Sequence, residues 1–474
     1  MASLPAASCV GDGRRWLSGA SPSVRSLDPP TFQRLCPPQA QIPVNHEWIT
    51  MGFSGAAKGD KPLLALVYDL GAADPVRIYS SAKPLCNLLF VCDRSSPHVA
   101  EAFDKLESLA PVVDITGMAL AEACDAVAAH DPAGVLTLSE HQIVLTAAIA
   151  QRCRLPFHDP QTSENLTDKL RQRQAMAAAG VQTTRCVAVK TPAEAAAAAL
   201  EVGLPAVVKP RGGAGSVDTC RVDTAEQCAQ AVSQFLTSSA NRGSTEFVVE
   251  ELLVGDPSAA GDRWGDYVSV ESITHNGHTQ LVCVTGRLPL VEPFREGGYV
   301  LPATVSDKLA TQIVETEQAA LRAIGVRHGV THTEVKLTPE GPRVIEVNGR
   351  HGGYVGDLLQ RAAGYDLVRA AIILALGKTV RVPRIRCRQV AYQYFIAPPV
   401  GAQRLLSIEG VEELSEVPGV AYMEVLAEPG QKVHWRDGTR AYVGIVYGSA
   451  ANHDSVLQAL AGIDTRLQVD YAQG

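Results

Sequence analysis

Residues 331–354 read THTEVKLTPEGPRVIEVNGRHGGY. The stretch predicts two short strands joined by a turn, with Pro339, Glu340, Gly341 and Pro342 supplying the turn chemistry. Glu334 falls in the first strand. Glu346 and Asn348 stand two apart in the second and share a face, while Ile345 and Val347 point the other way, into a core. One face of a hairpin thus offers two carboxylates and an amide. Arg350 follows at the strand's end, and Gly352 and Gly353 permit a sharp turn or a close approach of a ligand to the backbone. Oxygen ligands grouped this way suit Mg²⁺ or Mn²⁺, because magnesium takes one or two carboxylates and fills its shell with substrate phosphates and water. A nearby arginine holds a phosphate or carboxylate through two parallel hydrogen bonds. A solvated hairpin with an acidic outer face fits the same residues, so the rest of the chain decides.

A chain of 474 residues implies about two to four domains. Hydrophobic residues make up 46% and charged residues 19%, a globular composition and not a disordered one. The net charge of −8 and the absence of any basic run argue against nucleic acid. An acidic chain that binds a polyanion must meet it with a few local cations, so lysines in clefts matter. The 11 cysteines form no CxxC pair and no Cys/His ladder; their odd number in a large chain points to reduced thiols and a cytoplasmic protein. No apolar run reaches membrane-spanning length, and the N-terminus lacks a signal-peptide core.

Residues 1–60 are rich in Pro, Ser, Gly and Ala and read as a mobile extension, with Met51 as an alternative start. Residues 61–160 alternate strands (63–70, 87–92, 112–115, 134–138) with helices (119–129, 140–152), which predicts a small open α/β unit. No GxGxxG follows its first strand, which argues against a dinucleotide site. A second region spans 161–380. It opens with a helix capped by Asn165 or Thr167, which carries Lys169 and ends at Gly180. Within 181–255, a flap, the strand 206–209 ends in Lys209, a glycine loop occupies 211–216 (RGGAGS), and a strand resumes at 217–222. Such a loop lays backbone N–H groups over phosphates, although a plain hairpin turn fits it equally; it is not a Walker loop, since no GK[ST] follows. Helices are expected at 192–200, 224–236 and 307–325, strands at 246–253, 266–273 and 280–285, and loops at 255–265 and 292–301. After the hairpin come helices at 357–363 and 366–376. Residues 381–474, with short strands and a helix at 455–461, read as a small α+β domain with no chemistry of its own.

The order of Lys169, VVKP with Lys209, a glycine loop, VVEELL, HTEVKL and VIEVNGR resembles the ATP-grasp superfamily of carboxylate–amine ligases. HTEVKL and DYVSVE, with the Glu346…Arg350…Gly352 spacing, resemble most the L-amino acid ligases, dipeptide synthetases of the alanine–anticapsin ligase type. The resemblance implies an ATP-grasp fold preceded by the open α/β domain and followed by the small α+β one. It implies that Lys169 and Lys209 contact the α- and β-phosphates of ATP, and that Gly215 and Ser216 lie in the loop closing over them. Glu250, Glu251, Leu252 and Leu253 would form the hinge whose backbone bonds the adenine edge, and Asp266 would hold the ribose. Glu334 and Glu346, with Asn348 as third ligand, would bind two Mg²⁺ or Mn²⁺ ions. Arg350, His351, Gly352 and Gly353 would line the substrate-carboxylate site, Tyr354 would limit its size, and Glu271 would face the substrate amino group. Strict alternation puts Asp266 and Glu271 on opposite faces, so one of those two roles needs a bulge. Arg350 and Lys209 would carry the catalytic charge stabilisation. The implied activity joins an amino acid carboxylate to an amine through an acyl phosphate, in a homodimer acting on small molecules. A ligase for another carboxylate or bicarbonate, or a nucleotide-binding protein without catalysis, are the alternatives.

Overall fold

The computed structural model describes residues 61–238 and 243–473; the expected N-terminal extension and Met51 lie outside them. The chain begins there with β1 (Leu63–Val67), α1 (Pro75–Ala82), β2 (Asn87–Cys92), α2 (Pro97–Leu109), β3 (Val112–Asp114), α3 (Leu120–Ala128), β4 (Gly134–Thr137) and α4 (Ile143–Cys153). The four strands form a parallel sheet ordered β3-β2-β1-β4. Its strands are continuous apolar runs because both faces are covered: Leu64, Leu66 and Phe90 enter one core, and Ala65, Val67 and Val91 enter another. Helices α1 and α2 are additions to the sequence reading. Asp74 caps the first of them, its carboxylate accepting from Val76 and Arg77 N–H, and a proline opens each.

The expected single helix around Lys169 is two, α5 (Pro160–Thr167) and α6 (Lys169–Ala178). The cap is neither Asn165 nor Thr167 but Asp168, whose carboxylate accepts from Leu170 N–H at 3.0 Å and Arg171 N–H at 3.2 Å. The flap follows: β5 (Cys186–Val189), α7 (Pro192–Val202), β6 (Ala206–Pro210), β7 (Cys220–Val222), α8 (Ala225–Phe235) and β8 (Phe247–Glu251), in an antiparallel sheet ordered β5-β8-β6-β7. The strand after the glycine loop starts at Cys220 and not at 217, because Ser216 (φ 55°) and Asp218 (φ 46°) are left-handed and leave the extended region.

The rest of the chain builds one large sheet. It uses β9 (Tyr267–His275), β10 (His278–Arg287), β11 (Gly298–Leu301), α9 (Asp307–Ile324), β12 (Gly329–Thr338), β13 (Gly341–Asn348), α10 (Val355–Ala363), α11 (Leu367–Ala375), β14 (Val390–Ile396), β15 (Ala402–Glu409), β16 (Val420–Val425), β17 (Gly444–Ala450), α12 (His453–Arg466) and β18 (Gln468–Gln473). Eight strands run in the order β13-β12-β9-β10-β11-β14-β17-β16, with β15 and β18 paired separately. The sheet therefore passes through the boundary drawn at 380/381, joined by the antiparallel β11–β14 pair. That pair also corrects the loop expected over 292–301, whose last four residues are β11.

Apolar residues Val268, Val270, Val335 and Leu337 pack with Ile313 of α9 on the back of this sheet, leaving a polar front. β13 is an edge strand, and edges with free N–H and C=O groups invite unwanted pairing. Here Gln172 of α6 accepts from Val347 N–H at 2.9 Å and donates to Val347 O at 2.8 Å. Gln182 does the same for Val344 at 2.7 and 3.0 Å. This covering of the edge fixes α6 against the hairpin, with Lys169 over Glu346.

Candidate active site

In the hairpin Glu334 pairs directly with Glu346, but Val335 pairs with Val344. Ile345 is the extra residue of a bulge. The inward pair is accordingly Val344 and Val347, both fully buried, rather than Ile345 and Val347. Like charges directly opposite in a ladder repel, so two facing carboxylates call for cations. Lys169 Nζ lies 2.9 Å from Glu346 Oε1 and donates to Gly213 O of the glycine loop at 2.8 Å. His332 Nε2 stands 3.6 Å from Glu334 Oε1. Burial pushes the Glu334 carboxyl up, but His332, Arg287 and Arg350 outweigh it and hold it at about 2.

A second charge cluster sits in the flap. Lys209, at the end of β6, hydrogen-bonds and ion-pairs with Glu250, which Arg173 of α6 also holds at 3.0 Å. All three are buried. Burial raises the Glu250 carboxyl, yet Arg173 and Lys209 bring it down to about 2. Glu250 thus clamps Lys209 and is not a free hinge residue. Its backbone lies in the central ladder between β5 and β6, and Glu251 N–H donates to Arg185 O at 3.0 Å. Backbone groups for an adenine edge are consequently not those of Glu250 or of Glu251 N–H; Leu252 and Leu253 follow the strand's end. Asp266 precedes β9, so strand alternation does not constrain it, and Lys336 holds its carboxylate at 2.6 Å.

Arg350 spans two parts of the chain. Its Nε lies 3.2 Å from Glu140 of the N-terminal unit, and its guanidinium donates to Asn348 Oδ1 at 3.2 Å and to His351 O at 3.0 Å. Burial raises the Glu140 carboxyl to about 7, against the pull of Arg350. The expected substrate-facing Glu271 needs correction. Its side chain is fully buried and both oxygens are taken, one by His332 Nδ1 and the other by Gly352 N–H at 3.1 Å. Glu271 therefore braces His332 and the Gly352 backbone instead of facing an amine. Burial lowers the His332 imidazole, but Glu271 overrides it and sets it at about 9. A Cβ at Gly352 would lie 2.5 Å from His332 Nδ1, so only glycine fits there, whereas Gly353 has nothing within 4 Å. His351 is fully buried, and its Nδ1 lies 3.0 Å from Gly352 O. Tyr354 (φ 65°) stands at the N-cap just before α10, with its ring 5.3 Å from that of Phe395.

Several residues of the site were not anticipated. Arg287 is buried on the front of β10, ion-paired to Glu296 at 2.6 Å, with its guanidinium 3.7 Å from the Tyr299 ring centroid. Tyr299 O–H donates to Glu296 at 2.7 Å. Phe395 packs between Tyr299 and Tyr442, at 5.0 and 4.9 Å. The C-terminal region thus reaches the site after all. His332 carried a signal, since it stands two residues before Glu334 on the same face; Glu140, Arg173 and the aromatic group are joined only by the tertiary fold.

Among the described residues no cluster of three or more His, Cys, Asp or Glu side chains is arranged to hold a metal by itself. The chemistry of the donor set still fits a hard divalent cation completed by a ligand's phosphates: two facing carboxylates and an amide oxygen, with lysine and arginine alongside.

A parallel unit, an antiparallel flap with a glycine loop and a large sheet with acidic front define a nucleotide-dependent ligase class. A family model described as an ATP-grasp domain matches residues 202–357. The uncharacterized protein y4rH of Sinorhizobium fredii is 33% identical over 343 residues, covering 70% of this chain and 68% of that protein. Alanine–anticapsin ligase of Bacillus subtilis is 27% identical over 261 residues, 52% of this chain and 55% of that enzyme's length. The crystal structure of an L-amino acid ligase from Bacillus licheniformis superposes with a TM-score of 0.70 at 22% identity, covering 88% of this chain and 100% of that one. The chain belongs to the ATP-grasp superfamily of ATP-dependent ligases, near its amino acid ligases.

Proposed function

We propose that the protein joins the carboxylate of one amino acid to the amine of a second, consuming ATP and releasing ADP and phosphate. The supporting observation is the convergence, on one sheet face, of Glu334 opposite Glu346 with Lys169 and Arg350. A carboxylate is a poor electrophile. Transfer of the γ-phosphoryl group gives an acyl phosphate, whose phosphate leaves when the amine attacks. Two anions must first be brought together. Unit charges 4 Å apart repel by about 1 kcal/mol in water and about 4 at an effective dielectric near 20. Lys169, Lys209 and Arg350 supply the compensating charge, so catalysis is largely positioning and electrostatic stabilisation. Glu334, Glu346 and Asn348 are the residues to hold Mg²⁺ or Mn²⁺, which would neutralise phosphate charge when bound. Arg350 orients the substrate carboxylate, and the glycine loop over 211–216 excludes water from the acyl phosphate. The nine described cysteines are all unpaired, and no described helix is long and apolar enough to cross a membrane; we read the site of action as the cytoplasm.

The test is phosphate release from ATP and Mg²⁺ across all pairs of proteinogenic amino acids, with mass detection of product. Release that requires two particular amino acids, with the dipeptide mass appearing, is the expected result. Silence across every pair, despite ATP binding, would move the search to other acids, other amines or bicarbonate.

A further inference from the structure

The glycine loop is held at both ends, and only one end belongs to the site described above. At the near end, Lys169 binds Gly213 O through Nζ at 2.8 Å and Arg211 O through its backbone N–H at 3.0 Å. At the far end the partners come from the C-terminal region, in the tight helical segment Trp435–Ala441. Thr439 N–H donates to Gly215 O at 2.9 Å, and Asp218 N–H donates to Arg436 O at 3.0 Å. The Arg436 side chain continues onto the flap, hydrogen-bonding Gln234 of α8 and lying 5.9 Å from the Phe235 ring. Between these contacts sits Gly438, at φ 59° and ψ −129°, a conformation that L side chains rarely adopt. A Cβ there would lie 1.9 Å from Gly215 O. The fit is tight from the other side as well, since a Cβ on Gly215 would lie 2.6 Å from Thr439 Oγ1.

Two hydrogen bonds through backbone atoms, one glycine that admits no side chain, and an arginine bridging to the flap helix together form a seat. Asp218, the last loop residue in it, is fully buried. The same segment runs on to Tyr442, whose hydroxyl donates to Glu296 O at 2.9 Å. One segment therefore touches the loop proposed to cover the phosphates through its backbone and, three residues further on, the Glu296–Tyr299 wall through the Tyr442 hydroxyl.

We propose that residues 435–442 seat the glycine loop over the nucleotide, with Gly438 and Thr439 as positioning residues for the transfer step. The inference rests on the reading of 211–216 as the phosphate loop. Without the seat the loop swings on its Lys169 end alone; ATP then binds less tightly, and water reaches the acyl phosphate.

The test uses the full chain carrying Gly438→Ala, and separately Arg436→Ala with Arg436→Lys as the conservative control. Hydrogen exchange of peptides spanning 212–219 is measured without nucleotide, followed by binding of ATP and of AMP and by phosphate released per amide formed. In Gly438→Ala the loop amides are expected to exchange about tenfold faster, which corresponds to about 1.4 kcal/mol of lost protection, with β6 unchanged. ATP affinity should fall by a similar factor while AMP affinity stays within about twofold, and phosphate release should outrun amide formation. Arg436→Ala should shift the same readouts in the same direction, with Arg436→Lys restoring them in part. Wild-type loop exchange in a folded Gly438→Ala protein would overturn the seat; should that variant not fold, the same result in Arg436→Ala would do so. Faster exchange with unchanged ATP affinity would keep the seat and overturn instead the assignment of this loop to the phosphates.

Discussion

Replacing Glu346 by glutamine keeps the side chain's shape and removes its charge. In the free protein two effects oppose. Repulsion from Glu334, directly across the ladder, disappears, while the buried Lys169 loses the negative charge 2.9 Å away and keeps only neutral acceptors, the new amide oxygen and Gly213 O. Their near-cancellation predicts a melting midpoint within about 3 °C of wild type. Activity has no such compensation. On the proposed function Glu346 would hold a divalent cation that neutralises phosphate charge, so amino-acid-dependent phosphate release should fall about a hundredfold or more. Thermal melting and a phosphate assay on the same preparation separate the two. An active variant with ordinary Mg²⁺ dependence would remove Glu346 from the site.

At the scale of elements, the segment between β13 and α10 decides where Arg350 points. It turns sharply because Gly352 lies against His332, and its N–H is anchored by Glu271. Gly352→Ala places a methyl group 2.5 Å from His332 Nδ1 and 2.8 Å from Val355. Relief requires moving the imidazole off Glu271 or moving the turn, at a cost of about 1–3 kcal/mol. Arg350 lies on that turn, so on the proposed function KM for the amino acids should rise steeply while ATP affinity holds, as titration calorimetry against steady-state kinetics can show. Gly353→Ala, with open space around it, should retain wild-type stability. An equal loss of stability in both variants would show that crowding at His332 is not the cause. Much of this element was legible in the sequence. Alternation in THTEVKL and VIEVN placed both carboxylates on one face, and paired glycines marked the turn. The bulge at Ile345 was not legible, because a one-residue offset depends on the partner strand. The helix cap went to the wrong residue because Asn165, Thr167 and Asp168 all have capping chemistry, and only the break between α5 and α6 selects Asp168. β11 hid behind Gly297 and Gly298, which read locally as loop but pair with β14 across a long separation.

Across the whole molecule, the site is assembled from every region of the described chain: Glu140 from the N-terminal unit, Lys209 from the flap, the hairpin carboxylates, and Phe395 and Tyr442 from the C-terminal region. Packing four regions together also buries ionisable groups with no charged partner, and these contribute to the pH response. His158 is buried with Nε2 against Gly349 O at 3.0 Å, and burial pushes its imidazole down to about 4; burial lowers His328 as well. For such groups the unfolded chain takes up protons first. Their contribution is complete above the ordinary histidine value and is lost as the pH falls from about 6.5 towards 4, on the order of 3 kcal/mol for His158. Glu317 acts in the opposite sense. It is fully buried on the face of α9 turned to the sheet, and burial raises its carboxyl to about 8. The unfolded chain releases that proton near 4.5, so stability declines as the pH rises from there to about 8. His332, held at about 9 by Glu271, adds to this alkaline decline, because the unfolded chain releases its proton near 6.5 and the folded one near 9; the three histidines and Glu317 together predict a stability maximum near about pH 6, falling on both sides. Urea unfolding between pH 5 and 9 checks this, and Glu317→Gln isolates that carboxyl's share of the alkaline limb, because an amide of the same shape does not titrate. The variant should make the decline up to about pH 8 shallower and leave the His332 share and the acid limb in place. An unchanged alkaline limb would assign that decline to other groups and return Glu317 to an ordinary packing role.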